Sequence, residues 1–448
     1  MIFHSASKFN QRLLKQDARN SKMLFFALVT GILCGLMGAI FRQTLDWIGE
    51  FRVFLSGFLS GFGLFEQVIS VFLTMLFVFI AVYLVRRFAP EASGSGIHEI
   101  EGALDEVRPM RWKRVLPVKF LASLFSLGSG LLLGREGPTI QLGANIGKMV
   151  KDVFHQPDEE NNPLVSTGAG AGLASAFNAP LSGIIFVIEE MNGHFKFNFF
   201  SVAAIMIGVG ISDIVVRLLV GSESIIHMKV FTFDDETLLI YFALLGFIFG
   251  IIGAFYNSLL LKVVDVFKRM ELSTILIAIV FGGLISVIGL YSPDMTGAGY
   301  QTIFNVLGNS ISLQFLILLF LVRFFFSILS YGSGAPGGIF APLLTLGVIM
   351  GMIFGISIND LFPGSVTDPG IFAVAGMAAI FASTVRAPLT GLALSVEMTS
   401  NFELILPLII TVAVASVTTA MLGNEPVYTS LLKRTLENSK IDPVARSD

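Results

Sequence analysis

The chain has 448 residues, of which 54% are hydrophobic and only 14% are charged. Soluble domains carry roughly 25% charged residues, so this composition excludes an ordinary soluble domain and indicates a polytopic membrane protein. The net charge of −3 says little about partners, because the distribution of charge matters more in such a protein, and we expect no nucleic-acid partner. The single cysteine, Cys34, excludes a disulfide framework.

The N-terminal segment is polar and basic. Residues 1–22 contain several lysine and arginine side chains, and no cleavable signal peptide is visible. We expect this segment to form an amphipathic helix on the cytoplasmic surface of the membrane. The apolar segment that follows, at about 24–48, is long enough to span the bilayer.

Apolar segments of two kinds follow along the chain. Long ones, each able to span the membrane, lie near 24–48, 66–87, 199–220, 238–262, 273–292, 314–330 and 403–422. Shorter ones, interrupted by glycine and proline, lie at 94–105, 115–133, 137–150, 164–176, 180–191, 337–359, 370–384 and 388–399. Broken helices at membrane depth are tolerated where they line a cavity, so this pattern is typical of a transporter or channel.

The distribution of basic residues predicts the orientation of the chain. Clusters of lysine and arginine at the N-terminus, at 86–87, at 108–114, at 262–269 and at 433–434 place these segments and both termini in the cytoplasm. The polar stretch 221–237 is the candidate linker between two halves.

The expected domains are the N-terminal segment 1–22, a first membrane repeat at 23–225, a second at 226–423, and a short C-terminal helix and tail at 424–448. That tail is too short for a regulatory domain.

The two halves contain related segments. Residues 134–147 can be laid on 334–347, since both run from glycine to glycine. Residues 178–191 match 386–399 more closely: each contains Ala-Pro-Leu, then serine or threonine, then glycine, with an acid near the end. Corresponding broken segments in two halves indicate a binding site at their interface. The sequence alone does not say whether the repeat is inverted.

Three glycine-rich segments, at 94–98, 134–138 and 337–342, could present helix N-termini to one ion. Glycine lets a backbone approach closely, and helix N-termini carry partial positive charge and free N–H groups that suit an anion. Glu136 lies inside the second segment, in a stretch that reads as membrane-buried. A carboxylate there is costly unless something holds it, so we expect it to compete with a transported anion.

These segments resemble the signature motifs of the CLC family of chloride channels and chloride/proton antiporters. Residues 99–104, 177–181 and 188–191 are similar to that family as well, as is Tyr428, and the similarity covers about 24–435. The resemblance implies an all-α membrane protein with the CLC-type fold: two inverted structural repeats with many tilted and broken intramembrane helices.

The resemblance also implies roles for individual residues. Ser95 and Tyr428 would donate their hydroxyls to a central chloride, and the backbone amides of Ile339 and Phe340 would complete the site. Glu136 would be the external gate, occupying an anion position when ionised and swinging out when protonated. The selectivity motifs would comprise Gly94, Gly96, Ile97, Gly134, Arg135, Gly137, Pro138, Gly338 and Pro342.

Glu190 matches the internal proton-transfer glutamate of the family's antiporters. Many channels lack an acid there, so Glu190 favours a secondary chloride/proton antiporter over the alternative, an uncoupled chloride channel gated by voltage or pH. The resemblance further implies a homodimer in the lipid bilayer of a prokaryotic inner membrane. It implies chloride and protons as substrates, no cofactor and no metal.

Several ionisable residues have other interpretations. Glu99, Glu101, Lys119 and Glu397 read as paired charges that tie helices together. His98 stands where the family usually has proline, and it is either a tolerated substitution or a group that tunes pH dependence. An intramembrane hydrolase using Ser95 and His98 is a rival from another class. We disfavour it because no nucleophile elbow or His-Glu-x-x-His pattern occurs.

Overall fold

The structure, a computed structural model, consists of helices joined by short loops. It describes residues 2–59, 61–156, 163–191, 198–222, 226, 230–231, 233, 236–309, 311–366 and 368–441, with side chains between 21 and 437. Among these residues there is no strand, only two isolated bridges between loops.

The first half contains α1 (Ile2–Leu59), α2 (Leu64–Phe88), α3 (Ile97–Leu104), α4 (Trp112–Gly128), α5 (Glu136–Val153), α6 (Pro163–Phe177), α7 (Pro180–Glu190) and α8 (Phe199–Val220). The second half contains α9 (Leu239–Arg269), α10 (Thr274–Ile277), α11 (Gly283–Tyr291), α12 (Tyr300–Gly308), α13 (Leu313–Gly332), α14 (Phe340–Leu361), α15 (Gly370–Thr384), α16 (Pro388–Thr399) and α17 (Ile405–Met421). A π-helical stretch, Ala278–Gly282, joins α10 to α11, and α18 (Val427–Ile441) ends the described chain.

Hydropathy predicted the membrane spans well, with one error. Eight helices of the described part are long and apolar enough to cross a membrane, and the seven long apolar segments expected from sequence each coincide with one. The eighth is α14, which the sequence placed among the broken pieces at 337–359. Pro342 is the third residue of α14, where its missing N–H breaks no intrahelical bond, so the helix continues for 22 residues.

Glycines in α14 serve close packing and do not interrupt the helix. A Cβ atom built on Gly347 would lie 2.4 Å from the carbonyl oxygen of Gly376 in α15, and one on Gly351 would lie 2.1 Å from that of Phe372. The first half repeats this contact, since a Cβ on Gly143 of α5 would lie 2.1 Å from a carbonyl oxygen of α6. The pairs α5–α6 and α14–α15 therefore form equivalent, tightly packed helical hairpins.

The equivalent helices α7 and α16 pack antiparallel. Glu189, in the last turn of α7, accepts hydrogen bonds from backbone amides in the first turn of α16. Glu397, near the end of α16, accepts the corresponding bonds from the first turn of α7. Because corresponding helices run in opposite directions, the two repeats are inverted relative to each other, as the resemblance implied.

The ends of the repeats are only partly described. Helix α1 continues from Ile2 through the first span, so residue 22 is not a helix boundary, and the side chains of the basic segment before residue 21 lie outside the described residues. Most of the expected linker at 221–237 lies outside them as well. At the other end, α18 begins at Val427 and packs against α3 and α9, which brings Tyr428 into the protein interior.

Candidate anion site

The three glycine-rich loops meet through their backbones. The amide of Gly134 donates to the carbonyl of Gly338 at 2.7 Å, and the amide of Gly338 donates back at the same distance. The amide of Gly337 donates to the carbonyl of Gly94 at 2.9 Å. Main-chain hydrogen bonds thus join the loops of the first repeat to the loop of the second.

Two of these glycines leave no room for a side chain. A Cβ on Gly137 would lie 2.8 Å from Cα of Ser95 and 3.0 Å from Cα of Gly338, which are backbone atoms that cannot rotate away. Gly96 has φ of 81°, in the left-handed region that favours glycine, and precedes the first residue of α3. The loops can therefore pass this close only because these positions lack side chains.

Each loop leads directly into a helix. Helix α3 begins at Ile97, α5 begins at Glu136 after Arg135, and α14 begins at Phe340 after Ile339. The first amides of a helix have no intrahelical acceptor and carry partial positive charge. The third position of α5 is Pro138 and that of α14 is Pro342, which donate nothing and leave the earlier amides to serve a ligand.

Glu136 places its carboxylate against one of these helix N-termini. The side chain is fully buried, and Oε2 accepts a hydrogen bond from the amide of Ala341, the second residue of α14, at 3.4 Å. The other oxygen, Oε1, accepts a hydrogen bond from the hydroxyl of Tyr300. The carboxylate thus occupies a position that the helix amides would offer to an anion.

Three hydroxyl groups, those of Ser95, Tyr331 and Tyr428, lie in or beside the loops. The Ser95 hydroxyl is 3.4 Å from that of Tyr331, a residue that sequence reasoning missed. The Tyr428 hydroxyl is buried and has no hydrogen-bond partner within the described part of the chain, while its ring packs 6.0 Å from that of Phe340. A buried donor without a protein partner is suited to an anion.

Lys119 binds the backbone of the first glycine-rich loop. Its buried ammonium donates to the carbonyls of Ala92 at 2.9 Å, Gly94 at 2.7 Å and Ser95 at 3.3 Å. The expectation that Lys119 ties helices together by a charge pair was wrong in its partner: its hydrogen bonds go to main-chain oxygens. Three bonds to one short segment fix the backbone that carries the Ser95 hydroxyl.

The other three charges expected to be paired differ among themselves. Glu99 forms the expected ion pair, with Arg108 at 2.8 Å. Glu397 ties α16 to α7 as expected, but its partners are backbone amides and not a cation of the described residues. The prediction was also wrong for Glu101, whose charged neighbours in the described part of the chain are the acids Asp105 and Glu190.

Glu101 and Glu190 are neighbouring acids on α3 and α7. Glu190 is the last residue of α7, and both acids lie within electrostatic range of the Tyr428 hydroxyl. Two adjacent acids therefore lie near the Tyr428 hydroxyl.

His98 is mostly buried, with Nε2 4.0 Å from Glu99. The hydroxyl of Ser95 contacts Tyr331 and the amide of Ile97, so the geometry does not pair Ser95 with His98 as a hydrolase would require.

Tyr300 is the second residue that sequence reasoning missed. It directly follows Gly299 and begins α12, so it shares the glycine-to-helix pattern of the three recognised loops. This pattern in the sequence could have identified Tyr300 as a candidate site residue. It could not have shown that Tyr300 contacts Glu136.

An anion-accepting centre built from helix N-termini inside a bundle of apolar helices defines an anion channel or transporter. The chain belongs to the CLC family: residues 76–420 match the family model described as voltage gated chloride channel.

Its relatives cover nearly the whole chain. It is 43% identical to the H(+)/Cl(-) exchange transporter ClcA of Klebsiella pneumoniae, over 98% of this chain and 94% of that protein. It is 42% identical to the transporter of the same name from Salmonella gallinarum, over 98% and 93%. Among solved structures, a slow cyanobacterial Cl−/H+ antiporter is 38% identical, with a TM-score of 0.89 over 93% of this chain and 99% of that one.

Proposed function

We propose that this protein is a secondary active antiporter that exchanges chloride for protons across the membrane. The observation that carries the proposal is the position of Glu136, whose carboxylate accepts from the first turn of α14 in place of an anion. The relatives named H(+)/Cl(-) exchange transporter, similar along 98% of this chain, support the same substrates.

Chloride would be held by neutral donors. The donors that we propose are the Ser95 and Tyr428 hydroxyls, together with the amides of Ile339 and Phe340 at the start of α14. Such donors bind an anion without neutralising it, so the ion can also leave. The glycines and prolines of the motifs act through backbone geometry, and we propose no cofactor.

Coupling follows because one group serves both ions. Ionised Glu136 occupies an anion position, and chloride can take that position only when the side chain is protonated and leaves. To return, Glu136 must lose its proton, so chloride and proton movements share a step. Glu190, in its acid pair with Glu101, is the donor that we propose for protons entering from the cytoplasmic side.

The arrangement in the cell is part of the same proposal. We infer a homodimer with one pathway per subunit in a prokaryotic inner membrane, with both termini in the cytoplasm. The repeats at 23–225 and 226–423 would form the pathway, with 1–22 on the membrane surface and 424–448 as a short C-terminal extension.

Simultaneous chloride and proton recordings from reconstituted vesicles test the proposal. The unmodified protein should move both ions in a fixed ratio. Glu190→Gln should keep chloride flux and lose proton flux, and Glu136→Gln should give chloride flux that no longer depends on pH. Glu403→Gln, at an exposed acid, is the matched control and should behave as the unmodified protein.

The alternative is an uncoupled chloride channel. Chloride flux without proton movement in the unmodified protein would establish the channel, and undiminished coupling in the Glu190→Gln protein would refute the role of Glu190.

A further inference from the structure

We propose that Tyr300 is a positioning residue for the gate: its hydroxyl holds ionised Glu136 in the anion site and so sets the pH and chloride dependence of transport. This inference rests on the proposed function of Glu136. Tyr300 lies far from Glu136 in sequence, on the second repeat, and none of the recognised loops contains it.

The contact is a direct one. The Tyr300 hydroxyl donates to Oε1 of Glu136, while the amide of Ala341 donates to Oε2. Each oxygen of the buried carboxylate therefore has its own donor. The guanidinium of Arg135 lies over the Tyr300 ring, 5.0 Å from its centroid, and this cation–π contact restricts where the ring can go.

The loop that carries Tyr300 is held on both sides. The buried guanidinium of Arg323 donates to the carbonyls of Asp294 at 2.6 Å and Gly297 at 2.8 Å. The amide of Gly297 donates to the carbonyl of Gly130, in the first repeat, at 2.8 Å. Because the loop is bonded to both repeats, its backbone holds the Tyr300 side chain beside Glu136.

The energetics assign a direction to the effect. A hydrogen bond to an ionised carboxylate is stronger than one to its neutral form. The Tyr300 hydroxyl thus favours the ionised, seated Glu136 over the protonated side chain that has left the site. Without this hydroxyl, the gate would be displaced more readily, by protons at higher pH and by chloride at lower concentration.

A purely structural role makes a different prediction. If Tyr300 served only to pack against Arg135, phenylalanine would preserve the ring and leave transport unchanged. The pH profile of flux therefore separates the two roles.

The decisive variant is Tyr300→Phe, measured by chloride flux in vesicles as a function of pH. We expect the pH of half-maximal flux to rise by about one unit, as loss of a hydrogen bond to a charged group implies. The chloride concentration that half-displaces the gate should fall by about tenfold, the fold-change equivalent to one pH unit. Unchanged pH and chloride profiles would overturn the proposal.

Two controls make the result specific. Tyr256→Phe removes another buried hydroxyl, which contacts Ser327 at 3.2 Å, and should leave both profiles unchanged. In the Glu136→Gln background, Tyr300→Phe should have no further effect on the pH profile, and a further shift there would contradict the proposal.

The Tyr300→Phe experiment can fail or succeed independently of the test for antiport. A wild-type protein that moves chloride without protons refutes antiport, yet the pH shift of Tyr300→Phe can still be measured on the chloride flux. Tyr300→Leu provides a second variant if the phenylalanine protein does not fold, and the same upward shift is expected.

Discussion

Glu189 and Glu397 occupy equivalent positions in the two repeats, and each accepts hydrogen bonds from the first turn of the other's helix. Glu189 bonds to the amides of Leu389 at 3.0 Å and Thr390 at 2.8 Å. Glu397 bonds to the amides of Leu181 at 3.0 Å and Ser182 at 2.7 Å. Each carboxylate thereby satisfies free N–H groups at the N-terminus of the partner helix and interacts favourably with the dipole of that helix.

We expect Glu189→Ala and Glu397→Ala to destabilise the protein by similar amounts. Each leaves amides at a helix start without a charged acceptor, which costs about 1–3 kcal/mol. The apparent midpoint of thermal unfolding in detergent, followed by circular dichroism, measures the loss at a constant heating rate.

The control for this pair is Glu403→Ala, which removes an exposed acid and should leave the midpoint unchanged. An effect confined to one of the two glutamates would contradict the reciprocal arrangement.

Lys119→Met should weaken chloride binding. Methionine fills similar space but leaves three carbonyls of the first loop without their donor, so the backbone that carries Ser95 is no longer fixed. We expect the chloride affinity, measured by isothermal titration calorimetry, to fall by about tenfold, equivalent to about 1.4 kcal/mol.

Lys148→Met is the matched lysine variant, because Lys148 forms a partly exposed ion pair with Asp152 at 2.8 Å. Such pairs contribute about 0–1 kcal/mol, and chloride affinity should be unaffected. Wild-type affinity in Lys119→Met would show that the loop does not depend on this ammonium.

Gly137→Ala should abolish chloride binding and transport. The new methyl group would lie 2.8 Å from Cα of Ser95 and 3.0 Å from Cα of Gly338, so the loops must separate to accommodate it. Chloride calorimetry and vesicle flux both measure this loss.

Gly210→Ala, in α8, is the control: it adds the same methyl group at a glycine that does not lie in a close backbone contact. A Cβ on Gly210 would meet nothing within 4 Å, and alanine is favoured over glycine in a helix by about 1 kcal/mol. This variant should be as active and at least as stable as the wild type. Normal chloride binding in Gly137→Ala would mean that the loops are less closely packed than their geometry indicates.

The sequence predicted those parts of the fold that depend on local signals. Hydropathy identified seven spans, and glycine and proline identified the loops that precede α3, α5 and α14. The prediction of a broken helix failed at α14, because glycines that allow close helix packing cannot be distinguished in the sequence from glycines that interrupt a helix. Gly347 and Gly351 face carbonyls of α15, and only the tertiary structure reveals that.

The partners of buried polar groups were the least predictable part of the site. Lys119 and Glu397 bind backbone groups, which every residue has and no sequence pattern reveals. The contacts of Tyr300 with Glu136 and of Tyr331 with Ser95 join the two repeats across long stretches of chain. Such pairs become visible only when the helices are packed together.

The paired hydrogen bonds between Gly134 and Gly338 restrict how this transporter can work. In a rocker-switch cycle, one half of the protein tilts against the other about a central substrate. Here that tilt would break main-chain bonds between the glycine-rich loops of the two halves and leave buried amides and carbonyls without partners, each at a cost of about 1–3 kcal/mol. A cycle in which only side chains move around these loops keeps the bonds intact and avoids that cost.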